Sequence, residues 1–487
     1  MKLLVKKKIS SITKTLDKKK SSISEILEKR ITEISIEHYY KPEFFSFRSL
    51  LVFISKIYAL ITSVRVWLYK KNIIKAKNVP FFVISIGNIV AGGSGKTPMT
   101  LYVAEMLKEK GFKPVVLSRG YGGSIEKTDS NVVAGDGKNV FFSPDEVGDE
   151  PFMMASRRSF PVVVGKNRFK GAIKAMEMLF SSDSQPPFGL YASSDSQSPF
   201  GLHASSDSQP PSGLNSSSEP QSPSDALSKG IMILDDGFQH IRLKRDLDIL
   251  LMDYTHPLGN GRLLPVGRLR EKPDAASRAD IVVFTRCRDI TSLHGEPSAP
   301  CSTPASSQKT SLSLKSNLPN IKGLTHINGL PHINDLPCFM TTHRPSLYCF
   351  INKEIFHDDK NFSLPQPPTT IENLTGRRAL LFSGIADNRF FRQTVTDLGI
   401  YVLEHLEFND HHMYKSGDIC QINELCYTCG ADLLITTEKD YARLNYCTKW
   451  PLDIAVLGVR IEFVDSAEKD TFNNIILNAV NNCSKQV

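Results

Sequence analysis

The sequence predicts an α/β fold: a mostly parallel sheet with helices on both faces, a smaller C-terminal α/β domain and an N-terminal membrane-associated helix. Three observations predict it. An apolar, β-branched strand at 81–86 runs into Gly92-Gly93-Ser94-Gly95-Lys96-Thr97 and then into a helical stretch at 99–110. Strand-like and helical stretches go on alternating afterwards, the pattern of a parallel sheet covered on both faces. Upstream, within residues 44–71, Leu50, Ile54, Ile57, Ile61, Val64 and Leu68 recur at helical spacing.

Residues 1–43 form a basic arm, with ten Lys/Arg against three acids in the first thirty positions. Such a run is solvated or touches anionic lipid. The helix of the 44–75 segment has an apolar core interrupted by Lys56, short for a spanning helix. Trp67 and Tyr69 beside Lys70 and Lys71 resemble interfacial anchors. It reads as a helix lying in or dipping into a membrane face, or else as an amphipathic helix packed on the soluble domain.

The kinase-like unit occupies 76–286. Its strand, glycine loop, Lys-Thr and helix follow the order of a phosphate-binding loop, which makes the fold P-loop NTPase-like. Backbone N–H groups at Gly92, Gly93, Ser94 and Gly95 can face a polyphosphate. Lys96 reaches its outer phosphates, and the Thr97 hydroxyl can ligate Mg²⁺. The first glycine of the general pattern is missing, since position 90 is Val90. Strand 113–118, a helical stretch from Val147 to Arg157, strand 160–164, helix 168–179 and strands 231–234, 247–252 and 280–285 complete the unit. Strand 231–234 ends in Asp235 and Asp236, where a phosphate-loop protein holds Mg²⁺. Asp149 and Glu150 precede Pro151 at a helix start, a position that acids favour for dipole and capping reasons alone.

Residues 181–228 interrupt this unit with SSDSQPPFGLYA, two near-copies and a decayed fourth. Their Ser/Pro/Gln content disfavours a packed core and predicts a disordered insertion. A second low-complexity stretch lies within the 287–375 connection, and 337–352 returns as an irregular strand. The C-terminal unit, 376–487, carries strands 378–383, 400–406, 432–436 and 454–459 and helices 387–397, 415–428 and 466–480. His411, in Phe408-Asn409-Asp410-His411-His412, follows one of its strands; a histidine there is more often a surface residue than a catalytic one. Cys426-x-x-Cys429, near Cys420 and Cys447, lacks a second matched pair and reads as packed thiols rather than zinc ligands.

The bulk numbers are those of a globular protein: 487 residues, 41% hydrophobic, 23% charged, net charge +8. Nothing resembles a nucleic-acid-reading module. Nine irregularly spaced cysteines do not make a disulfide framework, and the N-terminus lacks the plan of a signal peptide.

The motifs GNIVAGGSGKTP, LSRGYGG, GDEP, ILDDGFQH, LLPVGRLRE, FSGIADN, FNDHH and TTEKD occur in an order that resembles the tetraacyldisaccharide 4′-kinases. The resemblance covers about residues 40–480 apart from the two low-complexity stretches, and that family's loop also lacks the first glycine. It implies an ATP·Mg²⁺-dependent kinase acting on the 4′-hydroxyl of a lipid disaccharide 1-phosphate to give lipid IVA. It also implies an enzyme on the cytoplasmic face of the bacterial inner membrane. By the same resemblance Asp149 is the catalytic base and His411 its partner. Lys96 and Thr97 are phosphate and metal contacts. Asp235, Asp236 and Gln239 form the acidic strand end, Glu150 lies beside the base, and Arg270-Glu271 lies near the nucleotide. A membrane-bound regulatory ATPase shares the GGxGKT core, but many carry a lysine where this chain has Ala91. A GTP-dependent protein would want Asn-Lys-x-Asp, which Thr437-Glu438-Lys439-Asp440 imitates poorly.

Overall fold

The computed structural model describes residues 47–180, 230–287, 336–353, 370–444 and 450–484. The basic arm, the Ser/Pro/Gln repeats, most of the second low-complexity stretch and Cys447 lie outside them. Helix α1 (Phe47–Lys70) comes first. Then follow β1 (Phe82–Gly87), α2 (Lys96–Glu109), β2 (Lys113–Ser118), β3 (Asn131–Asp136), α3 (Pro144–Val147), α4 (Asp149–Ser156), β4 (Pro161–Gly165), α5 (Arg168–Phe180), β5 (Gly230–Asp235), β6 (Leu247–Asp253) and β7 (Ile281–Thr285). The second half holds β8 (Cys338–Ile351), β9 (Arg378–Ser383), α6 (Asn388–Asp397), β10 (Tyr401–Glu407), α7 (Ser416–Thr428), β11 (Leu433–Thr437), α8 (Glu438–Ala442), β12 (Ile454–Phe463) and α9 (Ser466–Ser484).

All the described strands share one twelve-stranded sheet in the order β10-β9-β11-β12-β8-β7-β6-β1-β5-β2-β4-β3. Pairing is parallel except at β3–β4 and β8–β12, so the expected mostly parallel α/β architecture holds. The central strands β1, β5 and β6 are apolar and buried along nearly their whole length, as strands covered on both faces must be. Ile84, Ile86, Val116, Ile233 and Ile249 pack with Met99, Val103 and Leu107 of α2 on one face. Val83, Val115 and Met232 pack with Ala172 and Ala175 of α5 on the other.

β8 joins the halves. It pairs parallel with β7 over Cys338–Met340 and antiparallel with β12 along Thr341–Ile351. The expected irregular strand is there: β8 runs unbroken through Pro345, and its ladder to β12 shifts register at Tyr348, with Leu347 opposite Leu457 and Cys349 opposite Val456. Past Met340 the strand has no ladder on its other edge among the described residues, and a proline is tolerated at an open edge. The sequence reading missed β3, a half-exposed strand at the sheet edge, and the short helices α3 and α8. It started α2 three residues late, since the helix begins at Lys96.

Candidate active site

β1 and β5 run parallel and side by side, with Ile86 opposite Asp235. This register brings the glycine loop and the two acids to one end of the sheet. Gly95 sits at φ 80 immediately before α2. A side chain there would be strained and would overlap the His343 ring. The first turn of α2 is left with unpaired N–H groups beside the loop, which suits an anion.

Val90 is explained by what it touches. It bridges antiparallel to Leu269. Ala91 N donates to Arg268 O (2.6 Å) and Arg270 N donates to Ile89 O (2.7 Å). Residues 89–91 are therefore extended and need no glycine, and Val90 packs, as do Leu258 and Leu263, against the buried cluster that holds Ile89, Phe238 and Leu269. Below the loop, Asn88 Nδ2 donates to Ser94 Oγ at 2.7 Å, and Thr285 Oγ1 donates to Ser94 O at 3.1 Å. Lys96 Nζ donates to Gly92 O (3.3 Å) and lies 3.9 Å from Asp236 Oδ1.

The two acids at the end of β5 differ. Asp235 is buried and accepts from Thr100 Oγ1 (3.2 Å) and Ser118 Oγ (3.1 Å). Burial, then the nearby Glu150 and Asp236 carboxylates, push its pKa up to about 6. Asp236 has φ 50 and turns the other way. Both its oxygens accept from Arg270 Nη1 at 2.8 Å. Burial would raise its pKa, but Lys96 and Arg270 outweigh that and hold it low. Thr97 is buried at the start of α2. The charges of Asp235, Asp236 and Glu150 act on one another, but among the described residues no three acids or histidines form a metal cage, so a divalent cation here would come with a polyphosphate.

Gln239 acts as a strut: its Nε2 donates to Asn88 O (2.8 Å) and its Oε1 accepts from Arg270 Nη1 (3.3 Å). Glu271 is not brought to the loop. It is buried and paired with Arg278 at 2.8 Å.

Asp149 opens α4 after Gly148, whose φ of 88 lets the chain pass Tyr121 O closely. His411 lies in the other half, at φ 59. The structure brings them together, with His411 Nδ1 at 3.1 Å from Asp149 Oδ2. Burial would raise the pKa of Asp149, but the His411 hydrogen bond and the Arg443 charge hold it below the usual carboxylate range. Glu150 pairs with Lys439 at 2.8 Å. Burial works against its ionisation, and Lys439 more than offsets that.

Several site residues escaped the sequence reading. Arg443 Nε donates to Asp149 Oδ2 at 2.7 Å. Arg268 and Arg286 stand 3.5 and 3.4 Å from where side chains at Gly92 and Gly93 would begin. His343 Nε2 is buried without a partner among the described residues. Burial, then Arg286, lowers its pKa to about 4. The sequence signal for Arg443 is the Thr437-Glu438-Lys439-Asp440 motif that lies just ahead of it.

Comparison with known proteins bears on this site. A family model described as tetraacyldisaccharide-1-P 4′-kinase matches residues 47–481. The tetraacyldisaccharide 4′-kinase of Pelobacter propionicus is 33% identical over 400 residues, 82% of this chain and 84% of that protein. That of Desulfatibacillum aliphaticivorans is 32% identical over 426 residues, 87% and 91%. Among solved structures, Aquifex aeolicus LpxK in complex with ATP is similar with a TM-score of 0.55 and 26% identity, covering 89% of this chain and all of that one.

Proposed function

Because the chain belongs to the tetraacyldisaccharide 4′-kinase family, we propose that its two halves divide the reaction, the first holding the nucleotide and the second completing the base. The protein is an ATP-dependent kinase that phosphorylates the 4′-hydroxyl of tetraacyldisaccharide 1-phosphate, giving lipid IVA in lipid A biosynthesis. Gly92, Gly93, Ser94, Gly95 and the first turn of α2 would cradle the phosphates. Lys96, with Arg270 beside Asp236, would balance the charge that shifts toward the leaving oxygen. Thr97, Asp235 and Asp236 would hold Mg²⁺, which neutralises phosphate charge when bound. Asp149 would accept the proton of the sugar hydroxyl. An ionised carboxylate is a weak base, but phosphoryl transfer passes through a loose transition state, so the proton leaves late and a weak base suffices. His411 would orient that carboxylate.

The observation that carries this reading is the 3.1 Å contact between Asp149 and His411, 262 residues apart, with the adjoining Glu150 close enough to the loop to feel the Lys96 charge. Residues acting as one unit are non-additive. Asp149→Ala with His411→Ala should be little slower than the slower single variant, while ATP affinity survives in all three. Multiplying losses in the double variant would show independent action and refute the pair.

The enzyme would work on the cytoplasmic face of the inner membrane. α1 is long and apolar enough to cross a membrane by length and composition. One side of it is held to the active-site segment: Ser55 Oγ donates to Leu263 O (3.0 Å), Tyr58 OH to Arg270 O (2.9 Å) and Arg65 Nη2 to Gln239 O (2.9 Å). The other side exposes Phe53, Ile57, Leu60, Ile61, Val64 and Trp67. A helix docked this way lies on the bilayer and presents the site to a substrate whose acyl chains stay in the lipid.

A further inference from the structure

Arg443 is wholly buried, yet it holds groups from three separate segments. Its Nε donates to Asp149 Oδ2 (2.7 Å), and its Nη2 lies 3.1 Å from His411 Nδ1. Its Nη1 donates to Gly384 O (2.9 Å) and to Asp440 Oδ1 (3.3 Å). Those last partners fix the guanidinium itself. Thr437 Oγ1 caps α8 by accepting from Asp440 N (3.1 Å) and donates to Asp440 Oδ2 (2.6 Å). Asp440 Oδ1 also accepts from Gly384 N (2.9 Å), and Gly384 O accepts from His411 N (3.1 Å). The Thr437-to-Asp440 motif therefore builds a rigid seat for one arginine, and the same Gly384 peptide seats His411.

We propose that Arg443 is a positioning residue for phosphoryl transfer: its planar fork holds Asp149 and His411 in mutual register and leaves Asp149 Oδ1 as the atom that meets the sugar hydroxyl. This rests on Asp149 being the base. Both contacts made to the carboxylate fall on Oδ2, and Oδ1 accepts no hydrogen bond among the described residues. His411 Nδ1 can play one role at a time. It donates to Asp149 Oδ2 or accepts from Arg443 Nη2, and only in the first state does it orient the carboxylate. A guanidinium suits this task because it stays charged and presents its donors in one plane.

The test is kinetic, on the full chain. Arg443→Ala should lower kcat about 100-fold, the order expected when a reacting group is misplaced by an ångström, with ATP affinity unchanged. Arg443→Lys keeps the charge but loses the fork and should fall between Arg443→Ala and wild type. The groups facing Asp149 are His411 and Arg443, with Glu150 and Lys439 alongside, Asp410 next to His411 and Asp440 next to Arg443. With the cation gone, the acid limb of the rate profile should move to higher pH, and in Arg443→Lys it should stay. In an Asp149→Ala background, Arg443→Ala should cost almost nothing more. Normal kcat in Arg443→Ala overturns the inference, as does an equal loss with and without Asp149. If Arg443→Ala does not bind ATP or fold, wild-type kcat in Arg443→Lys overturns it and an intermediate kcat supports it. Should Asp149→Ala itself keep turnover, the base assignment fails first. Should it lose turnover while Arg443→Ala does not, only the role of Arg443 fails.

Discussion

Replacing Phe53, Leu60 and Ile61 together with Ser should release the protein from lipid bilayers. These side chains are 61%, 64% and 61% exposed, whereas Leu51 on the same helix is 6% exposed. Complete burial of such a side chain is worth roughly 1.5–3 kcal/mol, so at about 60% exposure each has ~1–2 kcal/mol still to gain, about 4 kcal/mol for the three. That corresponds to a nearly thousandfold change in partition. Co-sedimentation with vesicles made from inner-membrane phospholipids reads it, with thermal stability measured in parallel. The variant should leave the vesicles and keep its melting temperature, because the lost contacts are with lipid and not with the chain. Leu51→Ser, the control on the inner face, should lower the melting temperature instead. Unchanged partition of the triple variant would mean that the arm at 1–43 carries attachment. A large fall in its melting temperature would mean that this face packs on protein. Either result refutes the argument.

Lys96→Ala and Asp235→Asn should each cut turnover by about 10²–10³, the usual loss when one charge-stabilising group is removed, without unfolding the protein; near-normal turnover in both would remove the nucleotide-site assignment. Arg157 pairs with the buried Glu438 at 2.9 Å, and burial already raises the Glu438 pKa despite that partner. Arg157→Met should therefore cost up to about 3–5 kcal/mol in denaturant unfolding, and adding Glu438→Gln should recover much of it. Stability unchanged by the single substitution would show that the pair does not hold the halves together.

What could be read from the sequence follows from what kind of contact made each feature. Strands such as Ile231–Leu234 and helices such as Arg168–Phe180 show their burial in local spacing, and their positions agree with the structure to within a residue or two. The glycine loop is legible because its chemistry is contiguous. β3 is not, since an edge strand half open to solvent has little apolar contrast. Val90 looked like a departure from a motif and is instead the residue that zips the loop to Leu269. The acid pair at Asp235-Asp236 was visible, but the opposite states of the two were not. They depend on a left-handed turn and on Arg270, thirty-four residues away.

The least legible feature is the seam between α4 and α8. Asp149, Glu150 and Arg157 on one side meet Arg443, Lys439 and Glu438 on the other. In sequence each is an ordinary charge near a helix end, and such charges are usually solvated. Only the pairing of β8 with both β7 and β12, which carries the second half back alongside the first, turns them into partners. The three pairs do not serve alike. Lys439–Glu150 is only half-buried, so solvent screens it more than the other two and it contributes roughly 0–1 kcal/mol. The Arg157 and Arg443 pairs are largely desolvated, where two charges gain little net stability yet one left alone is costly. Such a seam closes in one register or not at all. That register places a carboxylate from the first half against an imidazole from the second, so specificity of closure is what these buried charges give the enzyme.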